Sequence, residues 1–158
     1  MTVPPADLPS ACRRVQLIGF VMLVTLPLYA LVLGLIAAQR APFSGFAPSL
    51  PMGLLRVVFA VMALVDLVLL KVLTRQLISA RPTVQPFRGA SLGVQRLFTL
   101  SIVRLAICEA IAVFGVVLYL LGGRWADFYG FGVVSLAALL FHFPRLSQWE
   151  DWARQLPV

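Results

Sequence analysis

Three ionisable side chains lie inside long apolar stretches of the 158-residue sequence: Asp66, Arg104 and Glu109. A charged group at the centre of a membrane helix costs roughly 2.5–3.5 kcal/mol on insertion scales. Such residues therefore rarely face lipid; they form ion pairs, line polar cavities or carry protons. The chemistry open to this chain is that of charges held in an apolar environment.

The depths of these residues favour an ion pair between Asp66 and Arg104. Asp66 is five residues from Lys71, which places it about 7–8 Å from the inner membrane boundary at 1.5 Å per residue. Arg104 is eight residues from Arg96, about 12 Å from the same boundary by the same rise. We expect the pair to clamp the second and third spans together. The alternative is that Arg104 extends to the inner headgroups while Asp66 caps a local group.

Glu109 is the candidate proton-binding residue. It lies thirteen residues beyond Arg96, about 19–20 Å up the helix and near the midplane. Arg104 is about 140° away round the helix, so Glu109 has no obvious partner in its own span. A buried carboxyl without a partner holds its proton and can ionise when a cation approaches. The alternative is a structural glutamic acid that donates one hydrogen bond to a neighbouring helix. Small residues on the same helix favour close helix packing: Cys108, Ala112 and Gly115.

The composition is typical of a polytopic membrane protein. Hydrophobic residues make up 61% of the chain and charged residues 12%, against roughly 25% charged residues in soluble domains. The net charge of +7 comes from basic residues that flank apolar segments without forming a stripe, so we expect no nucleic-acid partner. Cys12, Cys108 and His142 lack metal-ligand spacing. No nucleophile, cofactor motif or phosphate loop stands out, so an enzyme is not expected.

The apolar pattern predicts an all-α fold, with four transmembrane helices in an antiparallel bundle that forms one domain over residues 1–158. Pro27 should bend the first span, and Thr25 or a neighbouring helix should satisfy the carbonyl that the proline frees. A short turn joins the third and fourth spans, which makes them antiparallel neighbours. The predicted spans are residues 15–38, 52–72, 97–121 and 126–143.

A short helix over residues 147–156 follows the last span. Trp149, Trp152 and Leu156 share one face of this helix. Tryptophans beside a membrane exit favour the headgroup region, so we interpret Trp149 and Trp152 as anchors of an interfacial helix. Docking to a partner protein is the competing interpretation.

The basic residues predict the orientation of the chain. Four spans place both termini and the 73–95 loop on one side of the membrane, and the richer basic side is normally cytoplasmic. The other side holds Arg40, Arg56 and Arg124. We therefore expect a multi-pass plasma-membrane protein with cytoplasmic termini. The residues on the cytoplasmic side are Arg13, Arg14, Lys71, Arg75, Arg81, Arg88, Arg96, Arg145 and Arg154.

The run from Ala106 to Val117 resembles the outer helix of the proteolipid c subunit of rotary ATP synthases. In that family, the glutamate of a similar Glu-Ala-x-Ala-x-Phe/Tyr-Gly/Ala run binds the transported proton. The resemblance implies that role for Glu109, and Ala110 after it implies a proton rather than sodium. The match covers about a dozen residues. The second span departs from the family because its only glycine is Gly53, at its start.

Two functions remain open from the sequence. The first is a small integral membrane subunit that handles protons through Glu109. The second is a non-catalytic structural or assembly subunit of a larger membrane complex, in which the buried charges fix helix register. Either role implies the lipid bilayer and other membrane subunits, or further copies of the chain, as partners; neither implies a cofactor.

Overall fold

The computed structural model describes residues 7–79 and 92–155, and every regular element in these two ranges is an α-helix. Three helices contain stretches long and apolar enough to cross a membrane: Leu8–Gln39, Met52–Val72 and Leu97–Gly122. The chain is therefore an all-α membrane protein, as its composition predicts. The five helices are α1 (Asp7–Gln39), α2 (Met52–Ser79), α3 (Leu92–Gly122), α4 (Trp125–Phe141) and α5 (Leu146–Gln155).

The first three helices extend further than their apolar stretches. α1 begins at Asp7 rather than at residue 15, and α2 continues to Ser79. α3 begins at Leu92, so the predicted 73–95 loop is helical at both ends, and residues 80–91 lie outside the described ranges. The sequence 73–79 contains no proline or glycine, and polar residues do not stop a helix. The loss of apolar character therefore marks where the membrane should end, not where the helix ends.

α4 is the shortest of the first four helices. Its 17 residues give a length of about 26 Å, slightly less than a hydrocarbon core of about 30 Å. It ends at Phe141, where His142 forms the C-terminal cap and donates its backbone N–H to Ala138. α5 follows after a short connection.

α3 is the central helix, because it packs against α1, α2 and α4. α4 also contacts α1, and an ion pair joins it to α2. α1 and α2 make almost no contact with each other in the described part of the chain. One strip of α3 therefore lies open between α1 and α2; we call this the α1/α2 cleft.

Two ends of the helix assembly differ in construction. At the loop end, residues 40–51 fold over α3, where the backbone N–H of Phe46 donates to Leu120 at 2.8 Å. Gly45 has φ +90° and lies so close to the Leu121 carbonyl that a side chain would collide with it. At the terminal end, α5 packs near the start of α1.

The outer surface is apolar, as a lipid environment requires. Large hydrophobic residues along α1 and α2 are exposed, for example Leu17 at 69%, Leu54 at 62% and Leu64 at 62%. The buried residues instead concentrate on α3 and on the faces that the other helices turn toward it. The solvent for this surface is the hydrocarbon of a bilayer.

Candidate functional site

Glu109 accepts two side-chain contacts from α1. The Thr25 hydroxyl lies 2.8 Å from Glu109 Oε1, and the Tyr29 hydroxyl lies 2.9 Å from the same oxygen. Thr25 and Tyr29 are four residues apart and therefore share one face of α1. The carboxyl that the sequence left without a partner thus has two partners on a neighbouring helix.

Thr25 also contacts its own helix. Its hydroxyl donates to the Met22 carbonyl at 2.6 Å, a bond of the kind that threonine forms with the preceding turn. Pro27 lies inside α1, which continues through it. The carbonyl that Pro27 leaves without a helical donor is that of Leu23, so Thr25 binds the carbonyl beside the expected one. Thr25 therefore stands between the backbone of α1 and the carboxyl on α3.

The Thr25 hydroxyl carries one hydrogen and has two acceptors within hydrogen-bond distance. Three contacts connect Met22, Thr25, Glu109 and Tyr29, and each contact needs one hydrogen. The two hydroxyls supply two hydrogens, since each carries one. The Thr25 hydroxyl can donate to the Met22 carbonyl or to Glu109 Oε1, and the Tyr29 hydroxyl donates to the same Glu109 oxygen.

Glu109 lies at the edge of the α1/α2 cleft. Leu105 and Ala112, four residues before and three after it, are fully buried. Ala106 and Val113, three before and four after it, are exposed. Glu109 itself is half-buried between these two strips. The carboxyl is thus held by α1 on one side and borders the lipid-facing cleft on the other.

Asp66, on α2, lies at nearly the same depth in the membrane as Glu109 on α3. Phe59 of α2 packs on Phe114 of α3 with ring centroids 5.3 Å apart. Because α2 and α3 run in opposite directions here, seven residues further along α2 brings Asp66 level with Ile107. Two residues of helix, about 3 Å, therefore separate the levels of Asp66 and Glu109.

The position of Asp66 round α2 also points toward the α1/α2 cleft. Ala63 and Leu70 are buried, and Asp66 is offset from Ala63 by about 60°. Ala60 and Leu64, which line the opening toward α4, lie about 60° and 100° from Ala63 in the other direction. Asp66 therefore lies on the flank of α2 away from α4. Asp66 and Glu109 consequently border one cleft from two different helices.

The structure does not bring Asp66 and Arg104 together. Arg104 shares a strip of α3 with Cys108 and Gly115, at i, i+4 and i+11, and this strip faces α4. Arg104 also lies near His142, just beyond α4. The two predicted partners are close in depth but lie on different sides of the α2–α3 contact.

The ion pair within the described ranges joins Arg56 and Asp127 instead. Arg56 Nε lies 2.8 Å from Asp127 Oδ1, and Nη2 lies 3.0 Å from Oδ2. This two-bond geometry is the strong form of an arginine–carboxylate contact. Arg56 is near the start of α2 and Asp127 near the start of α4, and both starts lie at the loop end. Opposite charges near the starts of two helices that begin at the same end were the signal in the sequence.

The predicted packing residues are all buried. Ala112 and Cys108 have no exposed surface, and the Cys108 carbonyl accepts a 2.7 Å hydrogen bond from the Ser135 hydroxyl of α4. A Cβ atom at Gly115 would lie 2.9 Å from the Phe131 Cβ and 3.1 Å from the Phe128 carbonyl oxygen. Glycine therefore allows α3 and α4 to approach closely at this level.

Trp149 does not face the lipid. Its side chain has no exposed surface and belongs to a buried cluster with Cys12 and Leu97. α5 is therefore docked on its own chain, with the Gln16 side chain of α1 donating to the Pro144 carbonyl at 3.1 Å nearby. The Trp149 side chain points inward because the start of α1 is helical and supplies an apolar surface. The side chain of Trp152 lies outside the described part of the structure.

Within residues 7–79 and 92–155, no group of three or more histidine, cysteine or acidic side chains could hold a metal ion. No protein-family model, curated protein or solved structure matches this chain.

Proposed function

We propose that the chain is a small integral membrane subunit that binds and releases a proton at Glu109. The observation that carries this proposal is the pair of hydroxyls, from Thr25 and Tyr29, on a single oxygen of a membrane-embedded carboxyl. The resemblance of the segment around Glu109 to the c-subunit helix supports the same role.

The two hydroxyls can serve both protonation states. With Glu109 protonated, Thr25 donates to the Met22 carbonyl and receives the carboxyl hydrogen. When the proton leaves, Thr25 turns its hydrogen to Glu109, and Tyr29 keeps its own there. Hydrogen bonds to the ionised form stabilise a carboxylate. Release therefore needs a rotation of one hydroxyl and no movement of a helix.

Asp66 supports the location of the exchange. Two carboxyls that border one cleft cannot both ionise without repulsion. We infer that a proton reaches Glu109 through the α1/α2 cleft, where Asp66 is the next carboxyl at a similar depth. The cleft also lets a partner helix or lipid reach Glu109 laterally.

The topology completes the proposal. We infer that α4 crosses the membrane as a fourth span, so that the spans form an antiparallel bundle with both termini on the same side. The excess of basic residues favours the cytoplasm for that side, and we infer that the membrane is the plasma membrane. The short connections imply that other membrane subunits, or further copies of the chain, take part in the function.

A structural role in a larger complex is the second candidate. It is favoured by the fact that both partners of Glu109 lie on α1, so that the hydrogen bonds fix α1 against α3. In that role Glu109 holds its proton permanently. The two candidates differ in one property, which is exchange of the Glu109 proton with water.

Infrared spectroscopy of the protein in lipid vesicles tests this property. The carbonyl stretch of a protonated carboxyl is separated from that of a carboxylate, and Glu109→Gln identifies the band of Glu109. Asp66→Asn is the matched control for the second carboxyl. Proton binding predicts a Glu109 band that disappears reversibly as the pH is raised. A band that persists unchanged at all pH values at which the protein stays folded would favour the structural role.

A further inference from the structure

A second lateral opening lies between α2 and α4, away from Glu109. It is a cavity of about 430 Å³ that ends at Arg56 and Asp127. Small residues on both helices create it: Ala60 and Ala63 on α2, and Ala126 and Gly130 on α4. A Cβ atom at Gly130 would meet no other atom within 4 Å, so the space beside it is open. We call this cavity the α2/α4 groove.

The groove has the length of one leaflet. Its lining on α2 runs from Arg56 to Leu67, which is eleven residues, or about 16 Å at 1.5 Å per residue. Half of a hydrocarbon core of about 30 Å is about 15 Å. Arg56 is four residues from the start of α2, so the charged end of the groove lies near the membrane boundary at the loop end. The apolar part therefore extends from that boundary to about the midplane.

At the charged end of the α2/α4 groove, Arg56 has more N–H groups than the two that bind Asp127. A guanidinium carries five N–H groups, and two of them bind Asp127. Arg56 keeps 31% of its side-chain surface exposed, whereas Asp127 keeps 11%. The accessible partner of the ion pair is thus the cation, whose remaining N–H groups suit a phosphate oxygen.

The groove is open at its side toward the lipid and has a volume of about 430 Å³. Its length of about 16 Å and its small lining residues suit an extended hydrocarbon chain that ends at the charged residues.

We propose that the α2/α4 groove binds one phospholipid from the leaflet at the loop end. The phosphate accepts hydrogen bonds from the free N–H groups of Arg56, and one acyl chain fills the groove beside Ala60, Ala63 and Gly130. Asp127 holds the guanidinium in place, since it occupies the other edge of the fork. This site is independent of Glu109, and no proton transfer is involved in it.

Native mass spectrometry of the whole protein from mild detergent tests the proposal. The probes are phosphatidylethanolamine, phosphatidylglycerol and diacylglycerol, which has acyl chains but no phosphate. Gly130→Leu fills the groove and leaves the Arg56–Asp127 pair intact. Gly34→Leu on α1 is the matched control, because Gly34 also has open space around it and does not line the groove. Arg56→Gln tests the phosphate contact separately.

We expect the wild-type protein and Gly34→Leu to retain one phospholipid, and Gly130→Leu to retain it at least threefold less. Diacylglycerol should bind at least threefold less than either phospholipid, and Arg56→Gln should reduce this difference. Equal retention of phospholipid by Gly130→Leu and Gly34→Leu would overturn the acyl-chain site. Equal retention of diacylglycerol and phospholipid by the wild-type protein would overturn the role of Arg56.

Discussion

The hydroxyl of Tyr29 lies 2.9 Å from the Oε1 atom of Glu109, which joins α1 to the centre of α3 inside the apolar part of the protein. Thr25, one turn earlier on α1, contacts the same oxygen. The contact is therefore both a polar link between two membrane helices and the immediate environment of an ionisable group.

Removal of either hydroxyl should weaken the link between α1 and α3. Tyr29→Phe and Thr25→Val should each lower the free energy of unfolding by about 0.5–1.5 kcal/mol, the usual net value of one hydrogen bond. Thermal unfolding in detergent measures the effect. Tyr129→Phe is the matched control, because Tyr129 is 56% exposed, and it should change little.

A double-mutant cycle shows whether Tyr29 acts through Glu109. In a Glu109→Ala background, Tyr29→Phe should cost much less than it does in the wild-type protein. An equal cost in both backgrounds would mean that the tyrosine hydroxyl contributes through another contact.

Arg56 and Asp127 should tolerate exchange better than loss of one charge. Asp127→Asn leaves a half-buried guanidinium without its carboxylate, and we expect a loss of about 1–3 kcal/mol, between the values for surface and buried pairs. The double exchange Arg56→Asp with Asp127→Arg should recover part of this loss. The yield of folded protein and its thermal stability provide the measurement.

The corresponding exchange of Asp66 and Arg104 serves as the contrast. Because these residues lie on different sides of the α2–α3 contact, Asp66→Arg with Arg104→Asp should recover nothing relative to the single changes. Recovery by this exchange would restore the predicted clamp between the second and third spans.

Gly115 should be sensitive to the smallest side chain. Gly115→Ala places a Cβ atom 2.9 Å from the Phe131 Cβ, and overpacking of this kind costs about 1–3 kcal/mol. Gly130→Ala on α4 meets open space and should be neutral, or slightly stabilising through its helix propensity. Similar unfolding temperatures for the two variants would contradict the close approach of α3 and α4.

Trp149 should behave as a core residue. Trp149→Ala should destabilise the protein by about 3–5 kcal/mol, as expected for a buried large-to-small change. Trp149→Phe should cost much less, because the indole N–H has no acceptor among the residues that the structure describes. Thermal unfolding again measures both; a neutral Trp149→Ala would instead support a side chain that faces the lipid.

The sequence predicted the class of fold because apolar composition is a strong signal. It also identified Glu109, since a carboxylate within an apolar run is conspicuous. Thr25 and Tyr29 were not predicted as the partners of Glu109. A hydroxyl on a membrane helix costs little free energy, so it does not stand out in an apolar sequence as a carboxylate does. They could have been found as two hydroxyls at i and i+4 on one face of α1.

The pairing of charges could not be predicted because it depends on rotation as well as depth. Rise per residue placed Asp66 within a few ångströms of Arg104 along the membrane normal. Gly115 and Cys108 are small and allow α4 to approach α3 closely. These residues therefore decide which face of α3 contacts α4. The position of Arg104 on that face follows from the packing of α3 and α4, which requires the three-dimensional structure.

Labelling with a hydrophobic carbodiimide tests the central claim most directly. The reagent reacts with a protonated carboxyl that it reaches from the apolar phase, and mass spectrometry identifies the modified residue. The wild-type protein in mild detergent should be labelled at Glu109, and the extent should fall as the pH rises, with Glu109→Gln as the unlabelled control. Absence of labelling at Glu109 at every pH would contradict an exchangeable proton at the edge of the α1/α2 cleft.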